Sequence, residues 1–424
     1  MVFPRNCAAC LRWIQVACFA VLISLHCEAA EVATGVGVTA SVASRTANPS
    51  QRPRIGLVLS GGGARGLAHV GVLKILERER IPIHAITGTS MGAIIGGLYA
   101  SGMSAPELER ELLKLDRDEV FAPRVERQQL SQRRKEEDFE ISPVLEFGMR
   151  DGDLRAPLGA LSGRGLESLL RRFTLPVRRV NDFDALPIPF RAVATDMESG
   201  QPVILRFGDL AQALRSSMSV PGVFAPTELN GRILGDGGLV NNLPVDVVRA
   251  MGVDIVIAVN VGTPLAERNT LGSAAGLTAQ MINILTEQNV RRSIAALSPR
   301  DMLITPSLGE LGASDFNRTR ELIEFGAAGV SESLRLQLAE HALDQRSYLQ
   351  WRAERAREPV PQTTLGFIRF EGTTSTNPKR FEAQLESAPG QPFDTGRAER
   401  DAQRLAASGD YVRADYRARE HARG

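Results

Sequence analysis

The first long apolar run is Ile55-Gly56-Leu57-Val58-Leu59, bounded on its far side by a glycine cluster. A short continuous run of this kind predicts a strand buried on both faces of a parallel sheet. After Gly61-Gly62-Gly63 the period changes, and Leu67, Val70, Leu73 and Leu76 recur at helical spacing, predicting a helix over 64–80. A second strand, 83–87, runs into Gly88-Thr89-Ser90-Met91-Gly92 and a helix over 91–101 that Gly102 closes. Ser104, with Glu107 three residues on, opens the next helix as a capping box. Strand, helix, strand, helix in this order implies right-handed crossovers. Both glycine turns then fall at the carboxyl edge of the sheet, where open α/β folds bind ligands.

The pattern weakens over 119–164, where 124–140 is densely charged and 148–165 is rich in Gly, Asp and Arg. That span reads either as a solvated helix with a surface loop or as a mobile cover over a site. Order returns with a strand over 190–195, paired with 202–207 across a turn at 196–200. A helix starting at Asp209 ends before Pro221-Gly222, and an apolar run then leads into Gly235-Asp236-Gly237-Gly238. Asn241-Asn242-Leu243-Pro244 opens a further helix with proline in its first turn. Strands at 255–261 and 302–305 and helices at 277–296 and 318–343 complete a large α/β unit over 54–345.

Arginine-rich sequence ending in Pro359-Val360-Pro361 marks 346–361 as a linker. Residues 362–424 then form a small β-α-α-β unit, with strands at 365–370 and 411–416 around helices at 377–385 and 394–408. A unit of this size buries little core and reads as a binding or docking module.

Composition adds location. With 424 residues, 43% hydrophobic and 23% charged, the chain is that of an ordinary globular protein. Its 50 basic and 49 acidic side chains give a net charge of +1, which argues against a nucleic-acid partner. Arg5 and Arg12 precede an apolar run over 13–25, and Ala29 and Ala30 follow it, the layout of a cleaved signal peptide over 1–29. The run is short for a membrane span, so an uncleaved anchor is the lesser alternative. Residues 30–53, rich in Ala, Thr, Ser and Gly, read as a flexible linker. All four cysteines (Cys7, Cys10, Cys18, Cys27) lie within the signal, so the processed chain offers no thiol chemistry. The protein is expected to be exported to the periplasm, the outer membrane or the medium.

The chemistry concentrates in the glycine turns. Ser90 lies in a sharp strand-to-helix turn between Gly88 and Gly92, which lets a hydroxyl project clear of the backbone ahead of a helix N-terminus. The competing reading is a capped helix without chemistry. Gly61-x-Gly63-x-x-Gly66 also fits a dinucleotide-binding loop. That loop needs an acid at the end of the second strand for the ribose, and Ala85-Ile86-Thr87 supplies none. No Gly-Lys-Ser/Thr follows, which excludes a P-loop. The turn fits better as an oxyanion hole, with the amides of Gly61, Gly62, Gly63 and Ala64 as donors.

A serine nucleophile needs a base. Beyond the signal the histidines are His69, within the first helix, His84, at the start of the second strand, and His341 and His421, far along the chain. His69 is the histidine candidate. Asp236 fits better, because it follows an apolar strand in a glycine turn that projects a carboxylate from a sheet edge, although an ordinary Asp-Gly turn has the same local pattern.

Gly61-Gly-Gly-Ala-Arg-Gly66, Gly88-Thr-Ser-Met-Gly92 and Asp236-Gly-Gly238, in that order and each after a strand, resemble the three signature blocks of the patatin-like phospholipases. The resemblance covers about 54–343. It implies a three-layer α/β/α sandwich with a mainly parallel central sheet and a serine acyl hydrolase that uses a Ser–Asp dyad without histidine, metal or cofactor. Carried over, Ser90 is the nucleophile, Asp236 the base and Gly61, Gly62 and Gly63 the oxyanion hole. Arg65 stands at the motif's arginine, either touching substrate anion or bracing the loop. The implied substrate is a phospholipid or lysophospholipid at a membrane surface, with oligomeric state open. The C-terminal unit resembles a POTRA domain, the module that precedes outer-membrane barrels, without its last strand or a barrel. A nucleotide-binding Rossmann-like module and a non-catalytic secretion or docking protein are the alternatives from other classes.

Overall fold

The computed structural model describes residues 52–115, 148–150, 153–155, 159–161, 163–266, 268–357, 363–371, 377–407, 414, 416 and 418. The expected signal peptide, most of the linker after it and the charged run at 124–140 lie outside the described residues.

An eight-stranded sheet forms the centre. Its strands are β1 Ile55–Leu59, β2 Ile83–Thr89, β3 Phe190–Asp196, β4 Pro202–Leu205, β5 Thr227–Leu229, β6 Arg232–Asp236, β7 Ile255–Val259 and β8 Met302–Ile304. Helices α1 Ala68–Arg78, α2 Met91–Ala100, α3 Ala105–Lys114, α4 Arg164–Thr174, α5 Leu210–Ser217, α6 Val245–Ala250, α7 Ala274–Ala295, α8 Thr319–Ala328, α9 Glu332–Ala339, α10 Gln345–Glu354 and α11 Thr395–Ala407 accompany it. β8, β7, β1, β2 and β3 lie side by side in parallel.

The two-residue period of β1 sorts the layers. Ile55, Leu57 and Leu59 enter the larger core with residues of α1, α2 and α8. Val58 points the other way, into a smaller core with Val245 and Val248 of α6 and Val290 of α7. This is the three-layer α/β/α sandwich. Every residue of α2 is buried, as its apolar sequence requires. The capping box at α3 forms in full, with Ser104 accepting from the Glu107 amide and Glu107 from the Ser104 amide.

The partners of β3 explain how distant sequence reaches the site. Ala192 and Val193 pair with Gly88 and Thr89 of β2 on one edge and with Leu205 and Ile204 of β4 on the other. Beyond the end of β2, the vacated edge is taken by β6, antiparallel, with Asp236 opposite Ala194. β6 therefore abuts the end of β2, and Asp236 arrives one step along the β3 ladder from Thr89. The carboxylate comes in on a strand antiparallel to β3, beside the parallel centre of the sheet.

Elsewhere the sequence expectations shift in detail. The single helix expected over 318–343 breaks into α8 and α9 around Gly329 and the Ser331 N-cap. The first part of the helix over 64–80 is a 3-10 turn, Gly63–Leu67. The span read as a linker over 346–361 begins inside α10, whose Tyr348 and Trp351 are buried in the main core. Within the glycine-rich part of 148–165, Gly159–Leu161 pairs in parallel with Gly222–Phe224. In the C-terminal unit, α11 and a 3-10 helix at Pro378–Gln384 form, whereas 365–370 is not a strand. Among the described residues there, Thr364 makes an isolated bridge to Pro392, and the second strand expected, 411–416, lies almost wholly outside the described residues.

Candidate active site

Ser90 sits between β2 and α2 with φ 55° and ψ −125°. A non-glycine residue at positive φ costs about 1–3 kcal/mol and persists only where its surroundings fix it. Ser217 Oγ does so, accepting from the Ser90 amide at 2.9 Å while donating to Val193 O at 2.5 Å. Thr89 Oγ1 donates to Asn241 O at 2.8 Å, pinning the elbow from the other side. The first α2 amides point past a buried hydroxyl, so the helix dipole favours negative charge at Ser90.

Asp236 is brought to the same place. It is buried, its amide donates to Ser219 O at 2.9 Å, and its carbonyl accepts from Thr195 Oγ1 at 2.7 Å. The Gly238 amide donates to Asp236 Oδ1 at 2.7 Å, which turns the carboxylate inward. Oδ2 is buried without a hydrogen bond of ordinary geometry. Burial raises the Asp236 carboxyl to about 6, against the lowering influence of the Ser90 hydroxyl and the Gly238 amide. A carboxyl lifted toward neutrality beside a serine has the proton affinity a general base needs.

The glycine turn closes on the elbow, since a Cβ placed on Gly61 would lie 3.0 Å from Ser90 Cβ. Of the four amides expected to face an oxyanion, two are already committed. Gly61 N–H donates to Asn242 Oδ1 at 3.1 Å, and Ala64 N–H donates to Ala313 O at 2.8 Å. The amides of Gly62 and Gly63 have no acceptor among the described residues and are the two available donors. Gly63 has φ +57°, and a Cβ there would meet Ala313 O at 2.4 Å, so only glycine fits this turn.

Arg65 is buried, and its guanidinium donates to Val261 O at 3.0 Å and Leu311 O at 2.5 Å. These bonds tie the glycine turn to the loops after β7 and before α8. Burial lowers its pKa. His69 is fully buried, with Nε2 against Ser60 O at 2.8 Å, Nδ1 without a partner, and a pKa lowered to about 4 by burial. It is neutral, and its engaged nitrogen serves a carbonyl. His84 Nδ1 accepts from the Ile55 amide at 3.0 Å, at the far end of β1.

Two asparagines missed in the sequence frame the site. Asn242 accepts from the Gly61 amide through Oδ1, and its own amide donates to Asn289 Oδ1 at 2.8 Å. Asn289, on α7, donates in turn to Gly238 O at 2.9 Å. The chain Gly61, Asn242, Asn289, Gly238 thus links the glycine turn to the turn that aims Asp236. The signal for Asn242 was present as Asn241-Asn242 beside the Asp-Gly-Gly turn, where it resembled a helix opening. Asn289 carries no local signal, being one polar residue in a long helix.

With Ser90, Asp236 and unpaired glycine amides together, the arrangement can support acyl transfer through a serine. Residues forming a cluster of three or more metal-ligating side chains are absent among the described residues.

Residues 57–249 match the family model described as Patatin-like phospholipase. An uncharacterized NTE family protein of Mycobacterium tuberculosis is 35% identical over 211 residues, 50% of this chain and 50% of that protein. Lysophospholipase NTE1 of Saccharomyces cerevisiae is 30% identical over 294 residues, 64% of this chain and 16% of that protein. Among solved structures, VipD from Legionella pneumophila aligns with a TM-score of 0.38 at 16% identity, covering 68% of this chain and 67% of that one. The chain thus spans half or less of the length of these curated relatives. Residues 57–249 are thus similar to a patatin-like phospholipase domain, and a protein of the NTE family is among the relatives of this chain.

Proposed function

We propose that this protein is a serine acyl hydrolase that cleaves the acyl ester of a phospholipid or lysophospholipid through a Ser90–Asp236 dyad. The observation that carries the reading is the buried Asp236 carboxylate. One oxygen is fixed by the Gly238 amide, and the other has no partner except what Ser90 can offer.

Ser90 Oγ attacks the acyl carbonyl as Asp236 Oδ2 takes its proton. The carbonyl oxygen becomes an oxyanion held by the Gly62 and Gly63 amides, with the α2 dipole behind it. Collapse expels the lipid alcohol, which recovers the proton from Asp236, and leaves Ser90 acylated. Asp236 then removes a proton from water, hydroxide adds to the acyl carbon, and the fatty acid departs as Ser90 regains its proton. Arg65 braces the glycine turn and has no contact with the reacting atoms in this scheme. His69 holds Ser60 and takes no proton.

The proposal includes export directed by 1–29 and a docking role for the POTRA-like unit at 362–424. Neither is required by the chemistry. The test is mass spectrometry of products from defined phospholipids and lysophospholipids. Release of fatty acid by the parent and none by Ser90→Ala supports the reading, and fatty-acid release by Ser90→Ala at the parent rate overturns it.

A further inference from the structure

α7 is apolar on both faces, and among the described residues only one of them is packed. Val290, Ile294 and Leu297, the last just past its end, pack on the smaller core, and Asn289 reaches Gly238. On the opposite face Leu277 is 52% exposed, Met281 64%, Ile284 39% and Leu285 46%. These positions, spaced i, i+4, i+7 and i+8, form one stripe. Leu265, 45% exposed, extends it, because Gln280 of α7 accepts from the adjacent Ala266 amide at 2.8 Å.

A soluble surface rarely leaves a helical stripe of large apolar side chains unpartnered. Three observations say what covers this one. The stripe is continuous with the candidate site: Leu285 lies one turn before Asn289, and the loop bearing Leu265 includes Val261, whose carbonyl would be 2.9 Å from a Cβ on Gly62. The end of α7 is basic, with Arg291 and Arg292 exposed and Arg291 paired to Glu287, the sole acidic residue of the helix. No helix among the described residues is long and apolar enough to cross a membrane, so this one can lie on a lipid surface but not span it.

We infer that α7 and Leu265 are the face by which this protein seats on an anionic phospholipid surface, with Leu277, Met281, Ile284 and Leu285 entering the acyl layer and Arg292 meeting headgroup phosphate. This rests on the acyl-hydrolase reading for the choice of partner. It adds the element that brings lipid to the glycine turn. Seated this way, the helix presents its inner face, with Asn289 and the Asp236 turn, directly behind the lipid contact.

The test is co-sedimentation of the full chain with phosphatidylglycerol–phosphatidylcholine vesicles, in a Ser90→Ala background so that turnover plays no part. Leu277→Glu with Met281→Glu is expected to lower the vesicle-bound fraction at least roughly tenfold. Met281→Leu is expected to keep it. With Ser90 intact, the charged double variant should hydrolyse a water-soluble short-chain ester at the parent rate, because neither residue touches the site. Unchanged sedimentation overturns the inference, as does equal loss on the soluble ester, which would make the stripe part of the fold or site. A fall in solution mass from dimer to monomer in the double variant also overturns it and makes the stripe a contact between copies. Vesicle binding by a parent that hydrolyses no ester leaves docking standing and removes the hydrolase reading instead.

Discussion

The amide of Gly61 donates to Asn242 Oδ1 at 3.1 Å, and that bond assigns a conspicuous glycine to the frame of the site instead of to the oxyanion. Asn242 is in turn set by Asn289, which also holds the Gly238 carbonyl. One network therefore links the glycine turn, whose amides are the proposed oxyanion donors, to the turn that carries Asp236, the proposed base. Asn242→Ala is expected to lower kcat by about 10–100-fold with a smaller effect on KM, since it displaces donors that act on the transition state. Asn289→Ala should cost less, and the double variant should fall short of the product of the two single losses. Steady-state kinetics on a single lysophospholipid checks both statements.

With Asp236 as the proposed base, its raised carboxyl is expected to give the reaction an acid limb. Asp236 acts as a base only when ionised, so kcat/KM should fall tenfold per pH unit below about 6. Asp236→Asn should remove that limb along with about 10²–10⁴-fold of the rate.

The same group has a stability signature. Its folded pKa lies above the unfolded value near 3.8, so its contribution is present at low pH and lost as pH rises through about 6. Asp236→Asn is therefore expected to stabilise the protein at pH 7–8, by up to about 3 kcal/mol, and to leave stability at pH 3.5 little changed. Thermal unfolding at the two pH values measures the difference.

His69 titrates in the opposite sense. Its folded pKa of about 4 lies below the model-peptide value, so its stability contribution is full above about 6.5 and lost as pH falls toward 4. His69→Gln keeps an N–H for Ser60 O and should flatten the acid loss of stability, whereas Asp236→Asn should steepen it. His69→Gln should also retain activity to well within the roughly hundredfold minimum expected for removal of a general base.

Much of this was written in the sequence, and the residues say why. β1, β2 and α2 were legible because their apolar runs, glycine punctuation and caps all agree locally. Ser90 and Asp236 were legible because each lies in a glycine turn after a strand. What local pattern does not carry is pairing. Nothing in Ile233-Leu234-Gly235-Asp236 says that its strand runs antiparallel and abuts the end of β2, which is what delivers the carboxylate. Nor does it say which amides of a glycine turn are spoken for, since Asn242 and Ala313 lie about 180 and 250 residues from the amides they engage. The boundary between α8 and α9 was missed because Gly329 and Ser331 sit inside a continuous helical apolar pattern.

Gly63 offers a structural control. With φ +57° and Ala313 O in the path of any Cβ, Gly63→Ala should lower the melting temperature by several degrees, about 1–3 kcal/mol of backbone strain. Activity should fall further than the folded fraction, because one of the two amides proposed as oxyanion donors moves with it.

The central claim is that Ser90 is the nucleophile and Asp236 its base. It is tested most directly by the rate of covalent labelling with a fluorophosphonate, followed by peptide mapping, across pH 4.5–8. A single phosphonylated residue, Ser90, is expected, whose labelling rate rises through an apparent pKa of about 6 and loses that dependence in Asp236→Asn. Labelling at another serine, or an Asp236→Asn profile identical to the parent's, would contradict it.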